Sequence, residues 1–133
     1  MCSTWITVKF NRLFSYVNGY NNEKEVIKMT APVISEVSNG NSTVVSLYVP
    51  LANQKNPPSA DGLKVQRWKA SYVAVRQFGG FVTDSNFMGE VDALKGSLAG
   101  TKWASKTHNG FIVAQYNAPF ELFNRVNEIW FLY

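Results

Sequence analysis

The feature that most constrains the fold is an Ala-Pro step that occurs twice in similar surroundings. The first copy lies within residues 28–33 (KMTAPV), and a shorter second copy lies within residues 117–120 (NAPF). An amphipathic segment precedes each copy, and an apolar run typical of a β-strand follows it. The sequence therefore predicts a duplicated βαββ unit. We expect the two halves to pack about a pseudo-twofold axis, with a ligand cleft between them.

Length and composition favour one domain over residues 1–133. A chain of 133 residues with 46% apolar residues can bury a core without disulfides or metals. The single cysteine, Cys2, has no internal disulfide partner, so a reducing compartment is expected. The first residues lack the apolar core of a secretory signal. We therefore expect a cytoplasmic protein, and we expect no membrane span because no apolar run approaches about 20 residues.

The charge is mildly basic, at +4, but the 13 basic residues are scattered along the chain. Nucleic-acid binding would require a basic helix or stripe with stacking aromatic residues, and the sequence has none. We therefore expect no nucleic-acid partner and interpret most lysines and arginines as solvated surface residues.

Apolar spacing predicts two helices. Phe10, Leu13, Phe14 and Val17 follow the spacing of one helical face, and Gly19 is placed to end that helix. A second face runs from residue 87 to residue 98, with Asp84 or Ser85 as N-cap and Gly100 after the end. Strands are predicted over 26–37, 43–49, 63–68, 72–78, 111–116 and 126–133, with a hairpin turn at 39–41. The class is therefore α+β, and the last strand is expected to be central and buried on both faces.

Three motifs in order carry a family resemblance: residues 29–33 (MTAPV), 77–81 (QFGGF) and 125–130 (RVNEIW). With them the chain resembles the SOUL haem-binding protein family, particularly its plant members, from about residue 10 to residue 133. The resemblance implies a twisted, barrel-like, antiparallel or mixed sheet with two helices, and binding of haem or another tetrapyrrole. Family members usually have a longer N-terminal portion. Residues 5–8 are a poor match to that portion, so we expect a shortened form in which residues 4–9 serve as a substitute edge strand.

The same resemblance nominates a binding slot between the first helix and the first Ala-Pro segment. When the positions of this slot in the family are carried over to this sequence, its apolar lining residues are Leu13, Phe14, Val17 and Met29. The alternative for each is an ordinary place in the core, where a helix face packs on a strand. Lys28, Arg12 and Arg125 are candidates for contacts with the haem propionates, and the alternative for each is surface solvation.

Two titratable residues need separate interpretation. His108 lies in a polar segment before a strand, so we interpret it as an exposed turn residue. We therefore expect that no histidine coordinates the haem iron. Weak coordination by Met29 or a tyrosine remains an alternative. Glu128 lies in an apolar strand, so we expect it to need a hydrogen-bond or ion-pair partner, with Arg76 or Arg125 as candidates. The alternative for Glu128 is a general base in the cleft.

Because the resemblance implies tetrapyrrole binding, we expect a buffer or carrier that holds its ligand in a hydrophobic cleft, with a Kd near micromolar, which corresponds to about −8 kcal/mol. A protein that accepts the haem is a possible partner. No enzymatic activity is expected, because serine, cysteine and histidine form no triad pattern. The alternative is a protein-protein interaction module of the same fold that does not bind haem.

Overall fold

The computed structural model describes residues 2–7, 12–38, 43–83, 86–104, 110–117 and 121–133. Within these ranges the helices are α1 (Leu13–Val17) and α2 (Phe87–Leu98), with a 3-10 helix at Leu51–Asn53. The strands are β1 (Cys2–Thr7), β2 (Val33–Ser38), β3 (Thr43–Tyr48), β4 (Lys64–Lys69), β5 (Val73–Phe78), β6 (Gly110–Gln115) and β7 (Asn127–Leu132). These elements confirm the α+β class. The duplication and the barrel-like twist stay predictions.

The chain divides into two compact units. The first contains residues 1–33 and 44–70, and the second contains residues 34–43 and 71–133. Each unit has its own cluster of buried apolar side chains. The expectation of a single domain over residues 1–133 stays a prediction.

In the first unit, β1 lies between two strands in the order β4-β1-β3. It pairs antiparallel with both neighbours, placing Trp5 opposite Tyr48 on one side and Gln66 on the other. The buried Trp5 ring lies 5.4 Å from the ring of Tyr48 and 5.3 Å from that of Trp68. The prediction of a substitute edge strand was therefore wrong, because both sides of β1 are hydrogen-bonded and its tryptophan is in the core.

The core of the first unit forms where α1 packs on β3 and on the segment around Ile27. Its buried members are Leu13, Tyr16, Val17, Ile27, Leu47 and Val49. The predicted helix face was partly wrong. Residues 13, 16 and 17 form the buried stripe at i, i+3 and i+4, whereas Phe14, one residue past Leu13, turns away and is 56% exposed. Phe10 lies outside the described residues.

In the second unit the strand order is β2-β6-β7-β5, and α2 packs against β5 and β7. The predicted second helix is confirmed, and Gly100 follows its end with a φ of +80°. The buried cluster joins the helix to the sheet through Val91, Leu94, Val113, Ile129 and Phe131.

β7 is central, as predicted, because it pairs antiparallel with both β5 and β6. Burial on both faces was wrong. Asn127, Ile129 and Phe131 are buried, but on the opposite face Glu128 and Trp130 are only partly buried and Leu132 is exposed. The reason is that α2 covers a single face of this strand.

The predicted strand over residues 26–37 is shorter than expected. β2 begins at Val33, directly after Pro32, which has no N–H to contribute to a ladder. Val26 forms only an isolated antiparallel bridge with Asn18. The predicted turn at 39–41, the caps Asp84 and Ser85, His108 and the second Ala-Pro step lie outside the described residues.

Candidate functional site

The described part of the first unit contains a cleft of about 520 Å³ at the C-terminal end of α1. One wall is the turn that follows the helix, and the other is the end of the loop that leads into β4. Its lining residues are Arg12, Asn18, Gly19, Tyr20, Asn21, Asn22, Lys24, Val26, Ala60 and Asp61. A smaller cavity of about 220 Å³ adjoins it and shares Arg12, Tyr20 and Ala60. The volume of the larger cleft is typical of small-molecule sites, which run from about 300 to 1,000 Å³.

The turn that forms the first wall is held by one buried amide. Asn21 donates through Nδ2 to the carbonyl oxygens of Tyr16 at 3.0 Å and Glu25 at 2.8 Å. Its Oδ1 accepts the Glu25 N–H at 2.9 Å. The backbone N–H of Ile27 donates to the carbonyl oxygen of Val17 at 2.8 Å, so the end of the turn is hydrogen-bonded to the helix. Gly19 permits this path, since its φ is +105°.

Several hydrogen bonds hold the second wall against the first. Tyr16 donates its hydroxyl to the carbonyl of Pro58 at 2.6 Å, and both groups are buried. Glu23 accepts from the N–H of Ser59 at 2.8 Å and from its hydroxyl at 3.1 Å. Arg12 donates through Nη1 to the carbonyl of Asp61 at 3.0 Å. The walls are therefore connected by hydrogen bonds both beneath the cleft and at its rim.

The chemistry of the cleft is amphipathic. Tyr20 and Val26 are 79% and 71% exposed and offer apolar surface to a ligand. Arg12 and Lys24 contribute two cations, and Asp61 contributes one carboxylate. The buried position of Tyr16 raises the pKa of its phenol to about 12, and the charges of Glu23 and Glu25 add to the shift. Tyr16 is therefore a neutral hydrogen-bond donor at physiological pH.

Among the seven predicted site residues, only Arg12 lines this cleft. Leu13 and Val17 lie in the core, which is the alternative that the sequence left open for them. Phe14 and Met29 are exposed, the latter at 40%, and Lys28 is exposed next to Met29.

Arg125 belongs to the second unit. It is buried, donates to the carbonyl of Glu121 at 2.7 Å, and lies over the Phe81 ring at 4.1 Å. Its contacts within that unit are those of a structural residue.

The cleft residues that the sequence interpretation missed are Tyr20, Lys24 and Val26. All three follow α1 in a turn, where side chains show no periodicity. The available signal was an aromatic and a β-branched residue flanking the polar turn at Asn21 and Asn22, which is unusual for a purely solvated loop.

Glu128 has the hydrogen-bonded role that was predicted, but with other partners. Its Oε1 accepts from the Tyr116 hydroxyl at 2.7 Å and from Trp130 Nε1 at 2.8 Å. Arg76 instead forms an ion pair with Glu90 at 2.6 Å, on the face of the sheet that α2 covers. In the part of the chain that the structure describes, no group of three or more His, Cys, Asp or Glu residues is placed to hold a metal ion.

The fold and the cleft define a class: a small α+β protein with a ligand-sized, cation-bearing cleft beside its first helix. Searched over the same described ranges, no helix is long and apolar enough to cross a membrane.

Comparison with known proteins gives the family. The sequence profile described as SOUL heme-binding protein matches residues 3–132, so the chain belongs to that family. The match includes β1, in the region that had looked like a poor fit.

Relatives from vertebrates show the same relationship. Heme-binding protein 2 of mouse is 32% identical and that of human is 34% identical, in each case over 96% of this chain and 65% of the relative. Heme-binding protein 1 of pig is 28% identical over 90% of this chain and 66% of the relative. The chain thus spans about two thirds of the length of these relatives.

Proposed function

We propose that this chain binds haem or a related tetrapyrrole in the cleft beside α1 and acts as a buffer or carrier. The observation that carries the proposal is the pairing of exposed apolar surface at Tyr20 and Val26 with cations at Arg12 and Lys24, in a cleft of about 520 Å³. A tetrapyrrole such as haem has a planar apolar ring and two propionates, so it needs both kinds of surface. Family membership supports the same ligand class.

The residues present fit such a ligand without a histidine. The apolar side chains would contact the ring, and the guanidinium and ammonium groups would pair with the propionates. Tyr20 is the tyrosine placed in the cleft, and tyrosine is among the known axial ligands of haem iron. The exposed position of these groups favours a moderate affinity, near micromolar or about −8 kcal/mol, which suits a protein that must release its ligand.

The positions inferred from the resemblance remain part of the proposal. Among the four apolar positions, Phe14 and Met29 are exposed and a ligand can reach them directly. Leu13 and Val17 would act by positioning the helix. Lys28 remains a candidate for a propionate contact, since it is exposed, whereas Arg125 is buried in the second unit and already donates to Glu121.

We further propose that the protein works in the cytoplasm, passes its ligand to a protein acceptor, and is a binding protein without catalytic activity. A lone cysteine, Cys2, supports the reducing compartment. The hydrogen bonds on Glu128 support the binding role, because they give this carboxylate a structural task.

The proposal is tested by titrating haemin into the purified chain and following the Soret band. We expect saturable binding by the wild type. The double variant Arg12→Ala/Lys24→Ala should raise Kd about tenfold, since two exposed ion pairs contribute about 0.5–1 kcal/mol each. Tyr20→Ala should weaken binding through lost contact area. Lys55→Ala, an exposed lysine of the same unit outside the cleft, is the matched control.

Two further variants separate the cleft from the positions inferred by resemblance. If Met29→Asp or Phe14→Ala weakens binding while the Arg12/Lys24 double variant does not, the ligand lies along α1 and not in the cleft described above. Absence of saturable Soret change with the wild type would refute haem binding by this chain.

A further inference from the structure

The second unit carries a surface that the proposed tetrapyrrole cleft does not use. β5 is the last strand in the order of this unit, and it pairs with β7 only, among the strands that the structure describes. The outer side of such a strand presents N–H and C=O groups that another extended chain can pair with. Addition of a strand at a sheet edge is a recurring mode of peptide recognition.

The side chains along this edge suit an extended peptide. Exposure alternates along β5, so that Val73, Val75 and Gln77 are exposed and lie on the face that α2 does not cover. In the register of the sheet, these residues stand opposite Leu132, Trp130 and Glu128 of β7, respectively. The face therefore begins apolar and ends at a carboxylate.

That carboxylate is held in a fixed orientation. Both Tyr116 and Trp130 donate to the same oxygen, Oε1, at 2.7 and 2.8 Å. Within the described ranges, the second oxygen of Glu128 accepts no hydrogen bond, and it stays open to a cation. The pKa of Tyr116 is raised to about 12 by burial, by its hydrogen bond to Glu128 and by the charge of that carboxylate. The phenol thus remains a donor across the physiological range.

We propose that the outer edge of β5 binds an extended segment of a partner protein, with apolar residues over Val73 and Val75 and a lysine or arginine that reaches Glu128. A residue added opposite Gln77 would lie two strand spacings from Glu128, about 10 Å. A long basic side chain laid across Gln77 spans that distance together with the glutamate side chain. The recognition is therefore apolar at one end and charge-complementary at the other.

A second copy of this chain fits the edge less well. Two β5 strands pairing antiparallel about Val75 would place Val73 opposite Gln77, and the exposed residues of β5 itself, Val73, Val75 and Gln77, include no cation to meet Glu128. Arg76 lies on the other face, paired with Glu90. Charge complementarity thus favours a basic segment from a different protein.

The test uses the full chain and a fluorescein-labelled probe peptide of about nine residues, enough to span a typical strand. The probe alternates valine and threonine and carries one lysine placed to meet Glu128. Binding is measured by fluorescence polarisation. A second probe has glutamine in place of the lysine, and a third is N-methylated on the backbone amides that would face β5.

We expect saturable binding of the lysine probe at concentrations below about 1 mM, at least fivefold weaker binding of the glutamine probe, and none of the N-methylated one. Glu128→Gln keeps the acceptor for Tyr116 and Trp130 but removes the charge, so it should weaken the lysine probe about fivefold and leave the glutamine probe unchanged. Asp92→Asn, an exposed carboxylate on α2, is the matched control.

Val75→Lys gives an independent readout should Glu128→Gln fold poorly. The new ammonium group would repel the basic probe, and the affinity should fall about fivefold. Binding of the N-methylated probe with undiminished affinity, equal binding of both lysine and glutamine probes, or no saturable binding to the wild type would each overturn the proposal. Haemin titrations of the same variants should match the wild type, which separates this surface from the tetrapyrrole cleft.

Discussion

Replacing Tyr16 with phenylalanine removes one buried hydroxyl and tests how the loop before β4 is held on α1. The ring of Tyr16 is 1% exposed, and its hydroxyl donates to Pro58 at 2.6 Å. In Tyr16→Phe the ring stays and the carbonyl of Pro58 loses its donor. The loss of a buried hydrogen bond with one partner left unsatisfied costs about 1–3 kcal/mol. We expect the free energy of unfolding at pH 7 to fall by that amount.

The same variant should also change how the free energy of unfolding depends on pH. Folding raises the pKa of Tyr16 from 10.0 to about 12, chiefly through burial. Its contribution to stability is therefore complete below pH 10 and is lost as the pH rises from 10 towards 12. Each pKa unit corresponds to about 1.4 kcal/mol, so the wild type should lose about 1 kcal/mol by pH 11 through this group and about 3 kcal/mol above pH 12. Tyr16→Phe has no phenol to ionise at this position.

The assay is urea unfolding followed by tryptophan fluorescence at pH 7, 9, 10 and 11. The difference between wild type and Tyr16→Phe should be constant to pH 9 and should shrink by about 1 kcal/mol at pH 11. Other tyrosines, Tyr116 included, titrate in both proteins and cancel in the difference. Tyr20→Phe, a surface tyrosine, should match the wild type throughout. A loss of unfolding free energy below about 0.5 kcal/mol at pH 7, or a difference between the two proteins that grows with pH, would contradict this role for the Tyr16 hydroxyl.

Three further outcomes are expected, each measured by urea unfolding. Ile129→Ala should destabilise the protein by about 2–5 kcal/mol, because Ile129 is fully buried between α2 and the sheet; a loss comparable to that of the exposed Val75→Ala would contradict the packing. Gly19→Ala should lower the free energy of unfolding by about 1–3 kcal/mol, because the backbone φ at this position is +105°. A steric clash does not contribute, since the added Cβ would lie an ordinary 3.7 Å from Val26. The control Gly96→Ala lies in α2 with nothing near its added Cβ, so it should not destabilise the protein. Arg76→Met should lower the free energy of unfolding by no more than about 1 kcal/mol, and by less at high salt, because the side chains of Arg76 and Glu90 are 40% and 27% exposed. A loss of several kcal/mol would contradict a solvent-exposed ion pair.

The apolar spacing along the sequence was enough to predict the elements whose buried face is repeated over several turns. α2 was predictable from the spacing of Phe87, Val91, Leu94 and Leu98, because a helix of three turns repeats its apolar face several times. α1 is only five residues long. With a single turn, the apolar spacing wrongly placed Phe14 on the buried face and did not identify Tyr16 as a core residue. The hydrogen bond from Tyr16 to Pro58, 42 residues away, determines which of them is buried.

Long-range contacts also explain the errors at the N-terminus and at the cleft. Trp5 makes β1 an interior strand through rings at positions 48 and 68, and no feature of residues 2–7 reveals those partners. The cleft needs Tyr20 and Lys24 from one turn and Ala60 from a loop that returns to it. A linear sequence displays each turn but does not show that they meet.

The proposed binding of a tetrapyrrole in the cleft beside α1 can be located residue by residue. Its most direct test is a map of backbone amide chemical-shift changes on ¹⁵N-labelled protein as diamagnetic gallium protoporphyrin IX is added. Binding in the cleft should produce saturable changes centred on residues that line it or the adjoining cavity: Arg12, Ser15, Tyr20, Lys24, Val26 and Ala60. Changes confined to the second unit, or spread evenly over the surface without saturation, would contradict it.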